Sequence, residues 1–412
     1  MRLRSIANWL RMAAVGLLIC IAATAQQPVN AANLVPGHIL VRVKPGVDAG
    51  RLANDFGTVI LDHPSGTDLY SFRVPATTTE AAFAANVRAD ARVLYTETDD
   101  YVVSPEVGGE PFHFAFDLTS QPTTFANSAT YVQVGVGEVN SSGPGNGRVN
   151  GATGKGVIVA VLDTGATFNH RDLIGHYLPG YNAIQPNLPP AETADGFVNY
   201  EMGHGTMVAG IIARVAPQAM IMPIRVLNGD GSGSMLNLVK GVRYATAHGA
   251  KVISMSFGAS VKSSALNDAL DEAERAGIVL VASAGNDNLP DTVIAPTVSR
   301  GTISVAAVES NNKKSPYSNY GSFVRVSAPG SNIRSTYWNG GYATWSGTSF
   351  AAPFVSAEVA MILSVKPTLS ADQVKSFIQG TAHSIDNVNP AYSGKLGKGV
   401  IDIDAAVNKA MK

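Results

Sequence analysis

The chain has almost no cysteine. Cys20 is the only one in 412 residues, and it lies in an apolar run near the N-terminus. A disulfide framework is therefore excluded, and no Cys/His cluster with metal-ligand spacing exists. Charge is scarce as well. Asp, Glu, Lys and Arg make up 15% of the chain, and 30 basic residues against 31 acidic ones leave a net charge of −1. No basic block stands out, which argues against nucleic acid as a partner. Internal repeats are absent. No second long apolar run follows the N-terminal one, so nothing further along points to a membrane. What is present is 45% hydrophobic residues and 41 glycines. That composition suits a globular chain with a sizeable core and many tight turns.

Arg2, Arg4 and Arg11 precede the run "AAVGLLICIAATA", and Ala23 to Ala25 ("ATA") form a small-residue cleavage site. This is the pattern of an export signal over residues 1–25. The run is shorter than the roughly 20 residues a membrane span needs. Ile19, ahead of Cys20, is not the small residue a lipoprotein signal requires. The chain is expected to be exported, to the extracellular space or the periplasm, and to have no membrane attachment once the signal is removed.

Residues 33–103 read as a small separate unit. "HILVRVK", "DLYSFRV" and "RVLYTETDDYVV" are strand patterns. "DAGRLANDF" and "TTTEAAFAANVRAD" are helical, the second with Thr79 as a candidate cap. A small α+β unit is expected. Residues 104–150 follow as a bridge rich in Gly, Ser, Asn and Pro, either a linker or a site of processing. From residue 151 the pattern changes. "GVIVAVLDTG", "QAMIMPIRVL", "AKVISMSFG" and "IVLVASAGN" are apolar strands. They alternate with the helical stretches "MVAGIIARV", "LNLVKGVRYATAHG" and "SALNDALDEAERAG". Such alternation predicts an α/β fold with a mainly parallel central sheet and helices on both faces. Sites in such folds gather at the carboxyl ends of the strands.

Four polar residues stand at those ends or at the helix starts that follow them. Asp163 closes "VLDTG", His204 sits in "GHGTMVAG", Asn286 ends "ASAGN" and Ser349 lies in "WSGTSFAAPF". Singly, each has an ordinary reading: a turn aspartate, a capping or packing histidine, a turn asparagine, a serine that starts a helix. Together they match a chemical requirement. A serine hydroxyl needs a base, the base needs a carboxylate to hold its tautomer, and an oxyanion needs preorganised donors.

"AVLDTG", "GHGTMVAG", "SMSFG", "ASAGN" and "SGTSFAAP", in this order over residues 150–412, resemble the signature blocks of the subtilisin-like serine proteases. The resemblance implies a secreted serine endopeptidase that works through an acyl-enzyme. Ser349 would be the nucleophile, His204 the general base and then acid, and Asp163 its orienter. Asn286 and the Ser349 backbone N–H would bind the oxyanion. Ser256, Phe257 and Gly258 would pair with an extended peptide on one side, and Gly231, Ser232 and Gly233 on the other. Ala282, Ser283 and Ala284 would wall the pocket for the side chain before the cut bond, with a floor near residues 294–297.

The same resemblance makes residues 33–103 a ferredoxin-like propeptide, a chaperone and inhibitor whose tail lies in the active site until cut between about Tyr101 and Gly109. Residues 104–150 would be a linker and the N-terminal segment of the catalytic part, and 151–412 the catalytic domain of a protein made as an autoprocessed zymogen. Polypeptide substrates and the chain's own propeptide are the expected partners, and a monomer is expected. No cofactor is required. Calcium is compatible with the family, but no site is identified, because only Ile211 to Arg214 separate "HGTMVAG" from "VAPQA", where many relatives carry a longer calcium-binding loop. Met207 stands where a second histidine is common, at a packing position. Pro353 falls in the first turns of the helix that Ser349 opens, where it costs a backbone bond. Two other readings stay open from the sequence: a catalytically inactive fold that binds peptides, and an esterase or acyltransferase using the same triad. The second lacks a G-x-S-x-G elbow.

Overall fold

The computed structural model describes residues 34–106, 116–119, 128–135, 151–258, 262–292, 296–297, 299 and 301–412. The expected export signal and most of the 104–150 bridge lie outside the described residues.

The small unit comprises β1 (Leu34–Val43), α1 (Ala49–Asp55), β2 (Ile60–Asp62), β3 (Leu69–Arg73), α2 (Glu80–Arg88) and β4 (Val93–Val103). Its strands are antiparallel in the order β2-β3-β1-β4, a split βαβ connectivity. Side chains start both helices. Asp48 accepts the Arg51 N–H and Thr79 accepts that of Ala82. Ile39, Val41, Phe72, Phe83 and Val87 form its buried core. β2 was not expected, since three residues carry too little alternation to read as a strand.

The bridge holds β5 (Phe116–Thr119) and α3 (Ser128–Gln133). The large domain follows with β6 (Ile158–Asp163), β7 (Tyr181–Asn182), α4 (His204–Val215), β8 (Met220–Arg225), β9 (Ser232–Ser234) and α5 (Met235–Ala247). Next come β10 (Val252–Met255), α6 (Ser264–Arg275), β11 (Val279–Ser283), β12 (Thr302–Val308), β13 (Val326–Pro329), β14 (Ile333–Thr336) and β15 (Tyr342–Trp345). Three helices close the chain: α7 (Thr348–Val365), α8 (Ala371–Thr381) and α9 (Ile403–Met411). Seven parallel strands run in the order β13-β12-β11-β10-β6-β8-β7. Alternate residues of each strand serve opposite faces. Val159, Val161, Val279 and Val281 join α4 and α7 in one core, while Ala160, Leu162, Leu280 and Ala282 join α5 and α6 in the other. The result is a three-layer α/β fold. The bridge is not only a linker, since β5 pairs with β15 and the Val134 carbonyl beyond α3 accepts the Ile403 N–H.

β4 also meets the large domain. Glu97 and Asp99, two apart on a strand, point the same way. Glu97 accepts hydrogen bonds from Ser263 Oγ at 2.7 Å, Ser264 N at 2.8 Å and Ala265 N at 3.2 Å, at the start of α6. Asp99 Oδ1 accepts the Leu236 N–H at 3.0 Å, at the start of α5. Two helix starts, each with unpaired N–H groups and a positive dipole end, are thus closed by acids of the small unit.

α7 is long and apolar enough to cross a membrane, but it lies inside the large domain with 89% of its residues buried. Glu358 in its middle is fully buried, and neither carboxyl oxygen has a hydrogen-bond partner. Burial, with the Asp402 carboxylate adding to it, holds this carboxyl well above the usual range and favours its neutral form. The folded-state pKa is raised, so stability falls as pH rises through the ordinary carboxyl range. Glu358→Met should therefore stabilise the chain by about 1–3 kcal/mol at pH 7, read as a higher Tm in a Ser349→Ala background. The gain should shrink at pH 4. An equal gain at both pH values contradicts the buried-acid account.

Candidate active site

β6 and β10 are neighbours, and the chain leaves them for opposite sides of the sheet: β8 and β7 lie beyond β6, and β11 to β13 beyond β10. This is the switch point at which α/β folds open a crevice. Asp163 is the last residue of β6, and Ser256 to Gly258 follow β10. His204 is the first residue of α4. Its cap, Gly203, has φ of 101°, and a Cβ there would press on Tyr337 and Trp338 at 2.6 Å, so only glycine fits. Asn286 lies just past β11, and Ser349 is the second residue of α7.

Asp163 and His204 are in direct contact, and Asn286 bonds Thr348 beside Ser349. His204 Nδ1 lies 2.7 Å from Asp163 Oδ1. The same carboxylate oxygen accepts the Thr164 N–H at 2.8 Å, and Thr164 Oγ1 in turn accepts the Gly205 N–H at 3.0 Å. Strand end and helix start are thereby stitched together around the imidazole. Trp345 meets the ring edge-on at 5.7 Å between centroids, and Phe350 lies at 5.2 Å. His204, Asp163 and Ser349 are each at most 1% exposed. Asn286 Oδ1 accepts from Thr348 N at 2.9 Å and Thr348 Oγ1 at 2.8 Å, which turns the Nδ2 donor toward the crevice.

Pro353 sits within α7, as its position in the sequence implied. Its missing N–H would have bonded the Ser349 carbonyl four residues back. Ser256 Oγ supplies the replacement donor at 3.2 Å. Ser256, expected to pair with substrate, thus also anchors the first turn of α7.

One further group completes the site. The end of β4 and the residues after it run between two edges of the large domain. Tyr101, Val102 and Val103 pair with Ser234, Gly233 and Ser232 on one side. Val103 exchanges hydrogen bonds with Gly258 on the other, and the Ser104 N–H reaches the Gly231 carbonyl at 2.8 Å. The Glu106 carboxylate then lies among the candidate catalytic groups. Ser349 Oγ donates to Glu106 Oε2 at 2.8 Å, Asn286 Nδ2 donates to Oε1 at 2.9 Å, and His204 Nε2 lies 3.4 Å from Oε2. A Cβ on Gly347 would strike Glu106 Oε1, so the glycine leaves this space open. Burial alone would lower the His204 pKa, but the Asp163 and Glu106 carboxylates on its two nitrogens hold it well above the ordinary value. Burial would raise Glu106, yet His204 and the two serine hydroxyls more than reverse it, and the carboxyl sits below the usual range. Both shifts favour the imidazolium and carboxylate forms of the docked pair.

The remaining expected residues fall as follows. Gly231, Ser232, Gly233 and Gly258 carry the backbone contacts just described. Phe257 and Ala282 are packed in the core on the α5 and α6 face, and Ala284 in the core on the other. Ser283 Oγ is buried without a hydrogen-bond partner. Of the expected pocket floor only residues 296–297 are described. Met207 is buried in the core. Glu106, Glu201 and His204 bring donor atoms within 4.8 Å of one another. Two carboxylates and an imidazole do not make the six to eight oxygens that calcium takes. Sequence reasoning missed Glu106, Thr348 and Glu201. The signals available were an acid directly after the last strand of the small unit, and another three residues before His204.

A serine, a histidine and an aspartate gathered at the switch point of a parallel sheet form the arrangement expected of a serine hydrolase. The sequence profile of the Subtilase family matches residues 154–399. The chain belongs to that family and is a serine endopeptidase of subtilisin type. It is 36% identical to subtilisin DY of Bacillus licheniformis over 271 residues, which are 63% of this chain and 93% of that protein. It is 38% identical to thermitase of Thermoactinomyces vulgaris over 254 residues, 59% of this chain and 86% of that one. Among solved structures it is similar to fervidolysin of Fervidobacterium pennivorans, a keratinolytic enzyme related to subtilisin, with a TM-score of 0.72 and 26% identity. That likeness covers 90% of this chain, so it extends beyond the large domain, and 61% of fervidolysin, somewhat less than two thirds of its length.

Removing the Ser256 hydroxyl leaves the Ser349 carbonyl buried and unpaired. Ser256→Ala in a Ser349→Ala background should cost about 1–3 kcal/mol of stability, measured by thermal unfolding. An unchanged Tm would mean that the carbonyl finds another donor.

Proposed function

We propose that this chain is the precursor of an exported endopeptidase that hydrolyses peptide bonds through Ser349, His204 and Asp163, held inactive by its own residues 34–106. The observation that carries this reading is the convergence of Ser349 Oγ, His204 Nε2 and Asn286 Nδ2 on one carboxylate. The two Glu106 oxygens stand in for the oxygens of a peptide carbonyl under attack or of an acid product.

In the open enzyme Ser349 Oγ attacks the substrate carbonyl carbon while His204 Nε2 takes its proton. Asp163, on Nδ1, fixes the tautomer and stabilises the imidazolium. The carbonyl oxygen gains the negative charge and accepts Asn286 Nδ2–H. It also accepts the Ser349 N–H, which lies in the first turn of α7, where N–H groups have no intrahelical acceptor. The intermediate collapses to an acyl-enzyme as His204 returns the proton to the leaving amine. Water, deprotonated by His204, repeats the attack and releases the acid and free Ser349. Members of the family are generally cofactor-independent, with calcium often structural, and this sequence of steps uses side chains and water alone.

In the precursor, Glu106 blocks these steps in two ways. It occupies the space of the carbonyl, and it holds His204 as an imidazolium that has no lone pair for the serine proton. Glu97 and Asp99, capping α6 and α5, fix the small unit over the crevice. Export rests on the pattern of residues 1–25, and the mature enzyme is read as a monomer acting on polypeptides.

A fluorophosphonate probe should label Ser349 once the precursor has been cleaved, His204→Ala should abolish the labelling, and casein should be digested. Cleaved protein that neither labels nor digests casein would overturn the endopeptidase reading.

The docked tail also has a definite pH dependence. His204 is held high in the docked state, Asp99 is pushed up to about 7 by burial, and burial raises Glu97 as well. Docking therefore takes up protons and weakens as pH rises through neutrality. In the uncleaved chain, Glu106→Gln should label about tenfold or more faster than the parent at pH 6, and the difference should narrow at pH 9. Equal rates at pH 6 would contradict the role given to Glu106.

A further inference from the structure

Glu201 is a carboxyl group in the crevice to which the reaction gives no role. It is 2% exposed, and burial pushes its pKa up to about 8, against the opposing pull of His204. Its backbone N–H is tied to the Gly229 carbonyl. Its Oε2 lies 3.2 Å from Ser104 Oγ of the docked tail, a hydroxyl whose shorter contact, at 2.6 Å, is with Glu106 Oε2. Glu106 and Asp163, both acidic, are its other charged neighbours. Among the described residues no Lys or Arg forms an ion pair with it. An acid so placed is costly to keep unless something pairs with it.

The tail shows what passes this acid. Ser104 runs in an extended segment, bonded through its N–H to Gly231, one residue after Val103 has paired with Gly258. Two residues later the Glu106 side chain reaches Ser349. The backbone between Ser104 and Glu106 is therefore the stretch that passes the nucleophile. A substrate on the same path presents its cut bond just after the position of residue 105. The residue in the place of Ser104 is then the second one before that bond, and its side chain faces Glu201.

The geometry points to Glu201 as a specificity determinant that selects lysine or arginine at the second position before the cut bond. This rests on the endopeptidase reading above. When the tail leaves, the space beside Glu201 that Ser104 fills is open, and a substrate ammonium or guanidinium placed there makes a charge-assisted hydrogen bond. A neutral residue there strands the acid unpaired, and an acidic residue adds repulsion. Such a pairing is worth about 10–100-fold in kcat/KM. The residue in the tail itself is serine, which places a hydroxyl beside the acid and brings no charge.

The test is a competition in one tube between three peptides that differ only at that position, carrying lysine, norleucine or glutamate. The ratios of the cleavage rates do not depend on how much enzyme is active. Lysine should be preferred to norleucine by about tenfold or more, with glutamate last. In Glu201→Gln the lysine-to-norleucine ratio should fall toward one, and in Glu201→Asp, which keeps the charge, part of the preference should survive. Cleavage without preference, or a preference unaltered by Glu201→Gln, overturns the role of Glu201 and leaves the endopeptidase reading standing. No cleavage of any of the three peptides overturns that reading and the specificity with it.

Discussion

The 2.7 Å contact between Asp163 Oδ1 and His204 Nδ1 is the constraint on which the site depends. It ties the end of a buried strand to the start of a buried helix, and everything around it serves to hold that distance. Thr164 bonds both Asp163 and the α4 N-terminus. Gly203 lets the chain turn where no side chain fits, and Trp345 and Phe350 wall the ring. The other nitrogen of the imidazole is left facing the crevice. A carboxylate on that side adds to the upward pull of Asp163 on the ring's pKa. In the docked chain the occupant is Glu106.

The same economy runs through the rest of the crevice. Thr348 fixes the Asn286 amide so that its N–H faces outward. Ser256 replaces the bond that Pro353 removes. Asp163, Asn286 and the start of α7 are each held by a second polar group that has no part in the proposed chemistry. The small unit uses a related device at a distance. Two of its acids close helix starts on the large domain, so removal of the unit leaves those N–H groups to water.

Much of this was legible in the sequence. Continuous apolar strands alternating with helices specify a parallel sheet, and the polar residues at the strand ends mark its working edge. Asp163, His204, Asn286 and Ser349 could be picked out because each breaks an apolar or glycine-rich pattern at such an end. The helices of the small unit were readable from their spacing and from Thr79. Other features were hidden for physical reasons. β5 and α3 are short and lie in a stretch whose composition reads as linker, and their order comes from partners more than 170 residues away, such as Glu309 and Asn312 for Gln133. Glu106 is 243 residues from Ser349 in the chain, and an acid in a Pro- and Gly-rich stretch carries no local mark of burial. Glu201 is only three residues from His204, but its side chain matters through the tail that crosses it, which no periodicity reveals.

In the proposed precursor, one carboxylate from the chain's own tail keeps the base in its charged form. Proton NMR of the His204 Nδ1–H in the uncleaved chain, with Ser349→Ala to prevent processing, tests it directly. A low-field imidazolium resonance should persist well above pH 7 and should titrate at markedly lower pH when Glu106 is replaced by glutamine. The same titration in both proteins would contradict it.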